Sequence, residues 1–189
     1  AATGSEQWRV ETGNKVKSSP TVHDGTVYVA SRDGNLYAIA ADSGTEQWSA
    51  SLGRTAESSP TVADGTVYVG SFDGGLYAVD AGTGARRWRF ETGDLVRSSP
   101  TVVDGTVYVG SSDRFLYAVD AATGRERWRY ETGQSRFGIQ SSPTVADGTV
   151  FVGAYDTKVY AVDAAAGDER WAFETGDSVV SSPDRKSVV

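Results

Sequence analysis

Ser98-Ser-Pro-Thr-Val-Val-Asp104-Gly105-Thr106-Val-Tyr-Val-Gly110-Ser111-Ser-Asp-Arg-Phe115-Leu116-Tyr-Ala-Val-Asp120-Ala-Ala-Thr-Gly124-Arg-Glu-Arg-Trp128-Arg-Tyr-Glu131 contains four strand-forming runs separated by turns. Asp104-Gly105 is a two-residue hairpin signal, because a type I′ turn needs positive φ at both central positions. Thr106–Gly110 supplies β-branched and aromatic residues, Ser111–Phe115 reads as a turn, and Leu116–Asp120 as a third strand. Ala121–Gly124 turns again, and Glu126–Glu131 makes a fourth strand. No segment has helical periodicity.

The same unit recurs along the chain. Tryptophans fall at Trp8, Trp48, Trp88, Trp128 and Trp171, and Ser-Ser-Pro begins at Ser18, Ser58, Ser98, Ser141 and Ser181, giving a period of forty with one step of forty-three. Residues 58–93 and 98–133 agree at 28 of 36 positions. Four short antiparallel strands per forty residues is the pattern of a β-propeller blade, so the fold class is all-β. The repeats are 18–57, 58–97, 98–140 and 141–180 of a single domain, with a partial outer strand at 5–13 and a partial inner strand at 181–189. The fifth copy should continue Thr-Val-Ala-Asp-Gly but reads Pro183-Asp-Arg-Lys-Ser-Val-Val189, which is expected of a piece of a longer array.

Tyr77-Ala-Val-Asp80-Ala-Gly-Thr83-Gly84-Ala-Arg-Arg-Trp88 resembles the tryptophan-docking motif of the pyrroloquinoline-quinone (PQQ) type propeller repeat. It recurs at Asp120-Thr123-Gly124-Trp128, with Ala166 for Thr in the fourth copy and Ala40 for Asp in the first. The resemblance covers nearly the whole chain. It extends to quinoprotein dehydrogenases, an outer-membrane assembly lipoprotein and sensor domains, and implies a location in the cell envelope or outside the cell. On physical grounds each indole packs on the small Ala/Gly turn of a neighbouring blade, burying about 150 to 250 Å². At about 25 cal/mol per Å² this is an upper bound of roughly 4 to 6 kcal/mol. The five tryptophans are therefore structural docking residues.

Four blades either close as a small ring or pair through a homodimer into an eight-bladed ring, the number common among the propellers this repeat resembles. The paired ring is favoured, because a half-ring exposes adherent faces.

The 189 residues carry 25 acidic and 18 basic side chains, a net charge of −7, and the basic set is fourteen Arg and four Lys. An acidic chain argues against nucleic acid as a partner. The bias fits either a salt-adapted surface or a GC-rich coding sequence. There is no Cys and a single His23, which excludes disulfides, thiolate metal sites and cysteine nucleophiles. No apolar run reaches the roughly 18 residues of a membrane helix.

With the four strands of a blade labelled A to D from the inside outward, the B–C turns and D-to-A links of a propeller share one face, and the copies diverge on that face. Its turns offer Arg32, Phe72, Arg114, Phe115, Tyr155 and Lys158, and the three extra residues fall in its Gln134–Gln140 link with Arg136 and Phe137. Arginines and aromatics at a ring mouth fit an anionic or planar ligand or a protein partner, against the alternative of drift at exposed turns. The repeated Asp33, Asp73, Asp113 and Asp156 are read as turn formers in preference to calcium ligands. The expected function is a non-catalytic interaction or assembly scaffold with no catalytic residue, cofactor or metal. The alternative is a fragment of a PQQ- and calcium-dependent quinoprotein dehydrogenase.

Overall fold

Alternating β-branched and aromatic residues between Asp-Gly and Gly-rich turns leave the chain no choice but short antiparallel ribbons, each too small to bury its own faces. The computed structural model describes residues 4–183. Blade 1 comprises β1 (Thr21–His23), β2 (Thr26–Ala30), β3 (Asn35–Ala40) and β4 (Glu46–Ser51), and blade 2 comprises β5 (Thr61–Ala63), β6 (Thr66–Gly70), β7 (Gly75–Asp80) and β8 (Arg86–Glu91). Blade 3 comprises β9 (Thr101–Val103), β10 (Thr106–Gly110), β11 (Phe115–Asp120) and β12 (Glu126–Glu131), and blade 4 comprises β13 (Thr144–Ala146), β14 (Thr149–Gly153), β15 (Lys158–Asp163) and β16 (Glu169–Glu174). Each blade is a four-stranded antiparallel meander in chain order.

The first hairpin of every blade turns at an Asp-Gly pair with both φ values positive. Asp24, Asp64, Asp104 and Asp147 lie at 46 to 48° and the following glycines at 66 to 73°, the type I′ geometry that matches strand twist. Between the third and fourth strands the register slips by one residue, as between Ala78 and Val79, so Arg87 has no cross-strand partner. A bulge re-aims the side chain it carries. Arg87 thereby reaches Asp80 at 2.7 Å and Thr66 Oγ1 at 2.6 Å, and Arg127 and Arg170 repeat this with Asp120 and Thr106, and with Asp163 and Thr149. In blade 1 both charges are gone together: Ala40 replaces the Asp, and Gln47 accepts a hydrogen bond from Thr26.

The core lies between blades. Three apolar clusters each span a pair of neighbours, for example Tyr28, Leu36 and Leu52 against Val67, Val69 and Val79. The indoles seal these seams from outside. Trp48, Trp88 and Trp128 donate Nε1–H to the carbonyls of Ala81, Ala121 and Ala164 at 3.0 to 3.1 Å, always onto the following blade. Each lies flat over a glycine, where a Cβ on Gly84, Gly124 or Gly167 would come within 2.8 Å of the ring. On the inner side Ser59 N–H donates to Ser99 Oγ at 2.9 Å, and Thr61 Oγ1 to Pro100 O at 2.6 Å.

Among the described residues the four blades form an open arc. Val22 of β1 is 65% exposed where its counterpart Val145 is buried, and every residue of β16 is exposed. The small closed ring weighed as one option from sequence is thus not the arrangement found. Residues 5–13, expected as a partial outer strand, belong to no sheet. They are nonetheless held on blade 1, with Trp8 Nε1–H on Ala41 O at 3.0 Å and Gly13 N–H on Asp33. At the other end Ser182 and Pro183 accept hydrogen bonds from Ser142 N–H and Thr144 Oγ1. Residues 184–189, the rest of the expected partial inner strand, lie outside the described residues.

Candidate functional site

The link and turn segments meet on one face because the backbone ties them together. The amides of Arg32, Phe72, Ser112 and Tyr155 donate to the carbonyls of Lys15, Thr55, Leu95 and Gly138 at 2.9 to 3.0 Å. On the opposite face the Ala41, Ala81, Ala121 and Ala164 amides bind Gly25, Gly65, Gly105 and Gly148. The variable residues therefore share a rim, separated from the nearly uniform Asp-Gly hairpins.

Two clusters occupy this rim. In the first, Glu57 is only 13% exposed at its side chain and is gripped by Arg32, whose Nε lies 2.5 Å away, by Arg97 at 3.5 Å and by Lys17 at 3.8 Å. The Arg97 guanidinium lies 4.5 Å from the Phe72 ring centroid, a cation–π contact. Its Nε is buried without a partner. In the second, Phe137 packs on Tyr155 with ring centroids 5.1 Å apart, Arg136 lies over Phe137 at 5.7 Å, and the Tyr155 hydroxyl donates to Gln140 at 3.4 Å. Phe137 remains 49% exposed. The insertion fits because Gly138 sits at φ 56° with no room for a Cβ against the Ser111 and Ser112 carbonyls.

Arg32, Phe72, Arg136, Phe137 and Tyr155 thus come together in these two clusters, whereas three other candidates lie apart from them. Arg114, at φ 80°, turns to the outer strand and pairs with Glu131 at 3.1 Å. Phe115 begins β11, one residue earlier than the pattern of apolar residues indicates, and stacks between Tyr117 and Arg129. Lys158 opens β15 across from Glu174. Lys17, Glu57 and Arg97 escape a sequence reading that treats the residue before Ser-Ser-Pro as part of a linker. The signal was their variation, Lys17, Glu57, Arg97, Gln140 and Val180, at an otherwise repeated position.

Three of the four turn carboxylates are consumed locally, while Asp156 accepts from Tyr160 through Oδ2 and keeps a buried Oδ1 without a partner. Asp73 Oδ1 accepts the Gly75 amide at 2.8 Å and Oδ2 the Tyr77 hydroxyl at 2.6 Å; Asp33 and Asp113 accept the same bonds and also a glycine amide from the adjoining link. Burial pushes Asp73 up, but the hydrogen bonds from Tyr77 and Gly75 and the charge of Arg89 outweigh it and hold the carboxyl below its ordinary value. Burial and the bond to Asp156 push Tyr160 up to about 12. Among the described residues no three acidic or histidine side chains converge as a metal site. His23 meets Asp24 at 3.3 Å on the hairpin face, away from both clusters.

A family model described as outer membrane protein assembly factor BamB matches residues 1–136 and again 73–189. The chain belongs to this BamB family. Its overlapping matches reflect a repeat that aligns with the model in more than one register. The BamB structure from Moraxella catarrhalis superposes with a TM-score of 0.81 at 21% identity, over 93% of this chain and 57% of that one. The quinohemoprotein alcohol dehydrogenase ADHIIG from Pseudomonas putida HK5 gives 0.76 at 22% identity, over 90% and 36% respectively, and the computationally designed protein Ika8 gives 0.73 at 19%, over 86% and 50%. The BamB-family chain thus spans little more than half the length of its BamB relative. It matches no curated protein.

Proposed function

We propose that this BamB-family arc is a non-catalytic scaffold that docks a protein partner on its rim, in the cell envelope. The observation that carries this reading is the division of the molecule into an opposite face kept nearly uniform across blades and a rim that gathers Arg32, Phe72, Arg97, Phe137 and Tyr155. Arg and aromatic side chains are the types favoured at the centres of protein interfaces. The envelope location and the assembly role are taken from the description of the family.

The second reading, a piece of a quinoprotein dehydrogenase, draws on the likeness to ADHIIG. The residues present do not suit calcium-assisted quinone chemistry. Calcium needs six to eight converging oxygens, whereas Asp33, Asp73 and Asp113 are each bonded to their own turn and tyrosine, and the buried Asp156 Oδ1 is a single unpaired carboxylate oxygen. Co-elution of added PQQ and calcium with the protein would nevertheless reverse the preference.

A photo-crosslinking residue at position 137, compared with one at position 64 on the hairpin face, tests the scaffold reading in an envelope extract. The expected result is a discrete adduct from position 137, absent from position 64 and lost when Arg136 and Tyr155 are replaced by alanine. Adducts of equal yield from both faces would overturn it.

A further inference from the structure

Three successive blade seams in this chain are built from the same contacts, and the two ends of the arc are the two halves of that seam, each partly covered by the chain itself: blade 1 by Trp8 on Ala41, and blade 4 by Ser182 and Pro183 on Ser142 and Thr144. Blade 4 ends in Trp171, 47% exposed, beside Phe173, 63% exposed. Its counterparts Trp48, Trp88 and Trp128 all lie on an alanine carbonyl and a glycine of the next blade. Blade 1 has that receptor, Ala41 and Gly44, but the indole lying on it is Trp8.

Residues 6–20, EQWRVETGNKVKSSP, and residues 169–183, ERWAFETGDSVVSSP, are the same part of the repeat. The chain therefore carries two copies of one docking segment. They are held unequally: β16 is paired along its length with β15, whereas residues 6–11 have no strand partner.

We propose that the N-terminal segment is a stand-in for a second copy of this chain. Two arcs pair head to tail at both ends; Trp171 of the partner subunit displaces Trp8 from Ala41 and Gly44, and the start of blade 1 takes the place that Ser182 and Pro183 hold against Ser142 and Thr144. The occupant follows from continuity with the internal seams, because the exposed face of blade 4 has the shape that blades 1 to 3 present to a following blade. Phe151 is a departure from the match. At its position Tyr28, Tyr68 and Tyr108 each donate a hydroxyl to the next blade's alanine carbonyl. Phe151 brings no hydroxyl, so the paired seam keeps the indole bond to Ala41 and lacks the phenol bond of the internal seams. Two-fold pairing engages both outer faces of both arcs, so that each blade 4 meets the blade 1 of the other arc and the assembly is closed. This inference stands apart from the scaffold reading, since it concerns the ends of the arc and not its rim.

Sedimentation of the full chain and of three variants across protein concentration decides it, and the predicted directions are opposite for two tryptophans. Wild type should rise from 20.0 kDa toward twice that mass. Trp171→Ala should stay at 20.0 kDa, with a thermal midpoint equal to that of wild type at concentrations below pairing, because the indole is exposed in the single chain. Trp8→Ala should pair at roughly tenfold lower concentration or below, since removing an internal competitor raises the binding-competent fraction. Gly44→Ala, whose methyl would lie 2.7 Å from the docked indole, should abolish pairing. Trp8→Ala pairing no better than wild type, Trp171→Ala pairing as wild type does, a ladder of larger species, or a single mass near 20.0 kDa for every variant would each overturn the proposal.

Discussion

A tryptophan in this repeat stabilises a blade other than its own. Trp88 belongs to blade 2, yet its Nε1–H bonds Ala121 and its ring covers Gly124, both in blade 3. Trp88→Ala should cost roughly 3 to 5 kcal/mol, the usual range for deleting a packed aromatic, and the loss should register as a lower thermal midpoint. The same change at Trp171 should leave the midpoint of the unpaired chain, at low protein concentration, where it is. Spacing alone marks all five tryptophans as docking residues. It does not reveal that Trp8 and Trp171 differ, because that difference depends on whether a neighbouring blade is there. The Glu57 hub was harder to read still, because its three cations, Lys17, Arg32 and Arg97, come from different repeats and meet only after the links fold over the turns.

At the scale of one element, the bulged outer strand with its Asp-to-Arg clasp is a titratable latch. The Arg87 hydrogen bond and the Thr83 contacts hold Asp80 down to about 2, and Arg170 does the same for Asp163, also to about 2. A carboxylate with a depressed folded-state pKa adds stability that is present above its ordinary value and lost as pH falls through the folded one. The latch should therefore weaken between roughly pH 4 and pH 2. Blade 1, with Ala40 and Gln47, has a version that does not titrate. Copying it into blade 2 as Asp80→Ala with Arg87→Gln should flatten the fall in thermal midpoint over that window. An unaltered acid profile would show that the clasp is inert. Strand number and hairpin type were open to sequence reasoning through the Asp-Gly pairs and alternating apolar residues. The bulge was not, since a one-residue slip leaves no mark in a four-residue turn.

The whole molecule is a stack in which each blade is stabilised by its neighbours, so protection should depend on place more than on sequence. Stability in such arrays is close to a sum of unit and nearest-neighbour contributions. The matched strands β8 (RRWRFE) and β16 (ERWAFE) differ little in composition but greatly in cover. Amide exchange at low protein concentration should be markedly faster in β15 and β16 than in β7 and β8. Equal protection would mean that the blades are independently stable. The propeller class was legible because forty-residue self-similarity constrains the fold strongly. The openness of the arc was not, because nothing local to a repeat records how many repeats close the circle.

The three residues added in the Gln134–Gln140 link are a small change with a geometric consequence for anything that lands on the rim. Near-identical blades offer a visitor several equivalent orientations, each one blade-step from the next. The insertion interrupts that rotational degeneracy at one place, between blades 3 and 4, and seats Phe137 there without disturbing a single strand register. It acts as an index mark on a dial: a shape that engages it can settle in one orientation only.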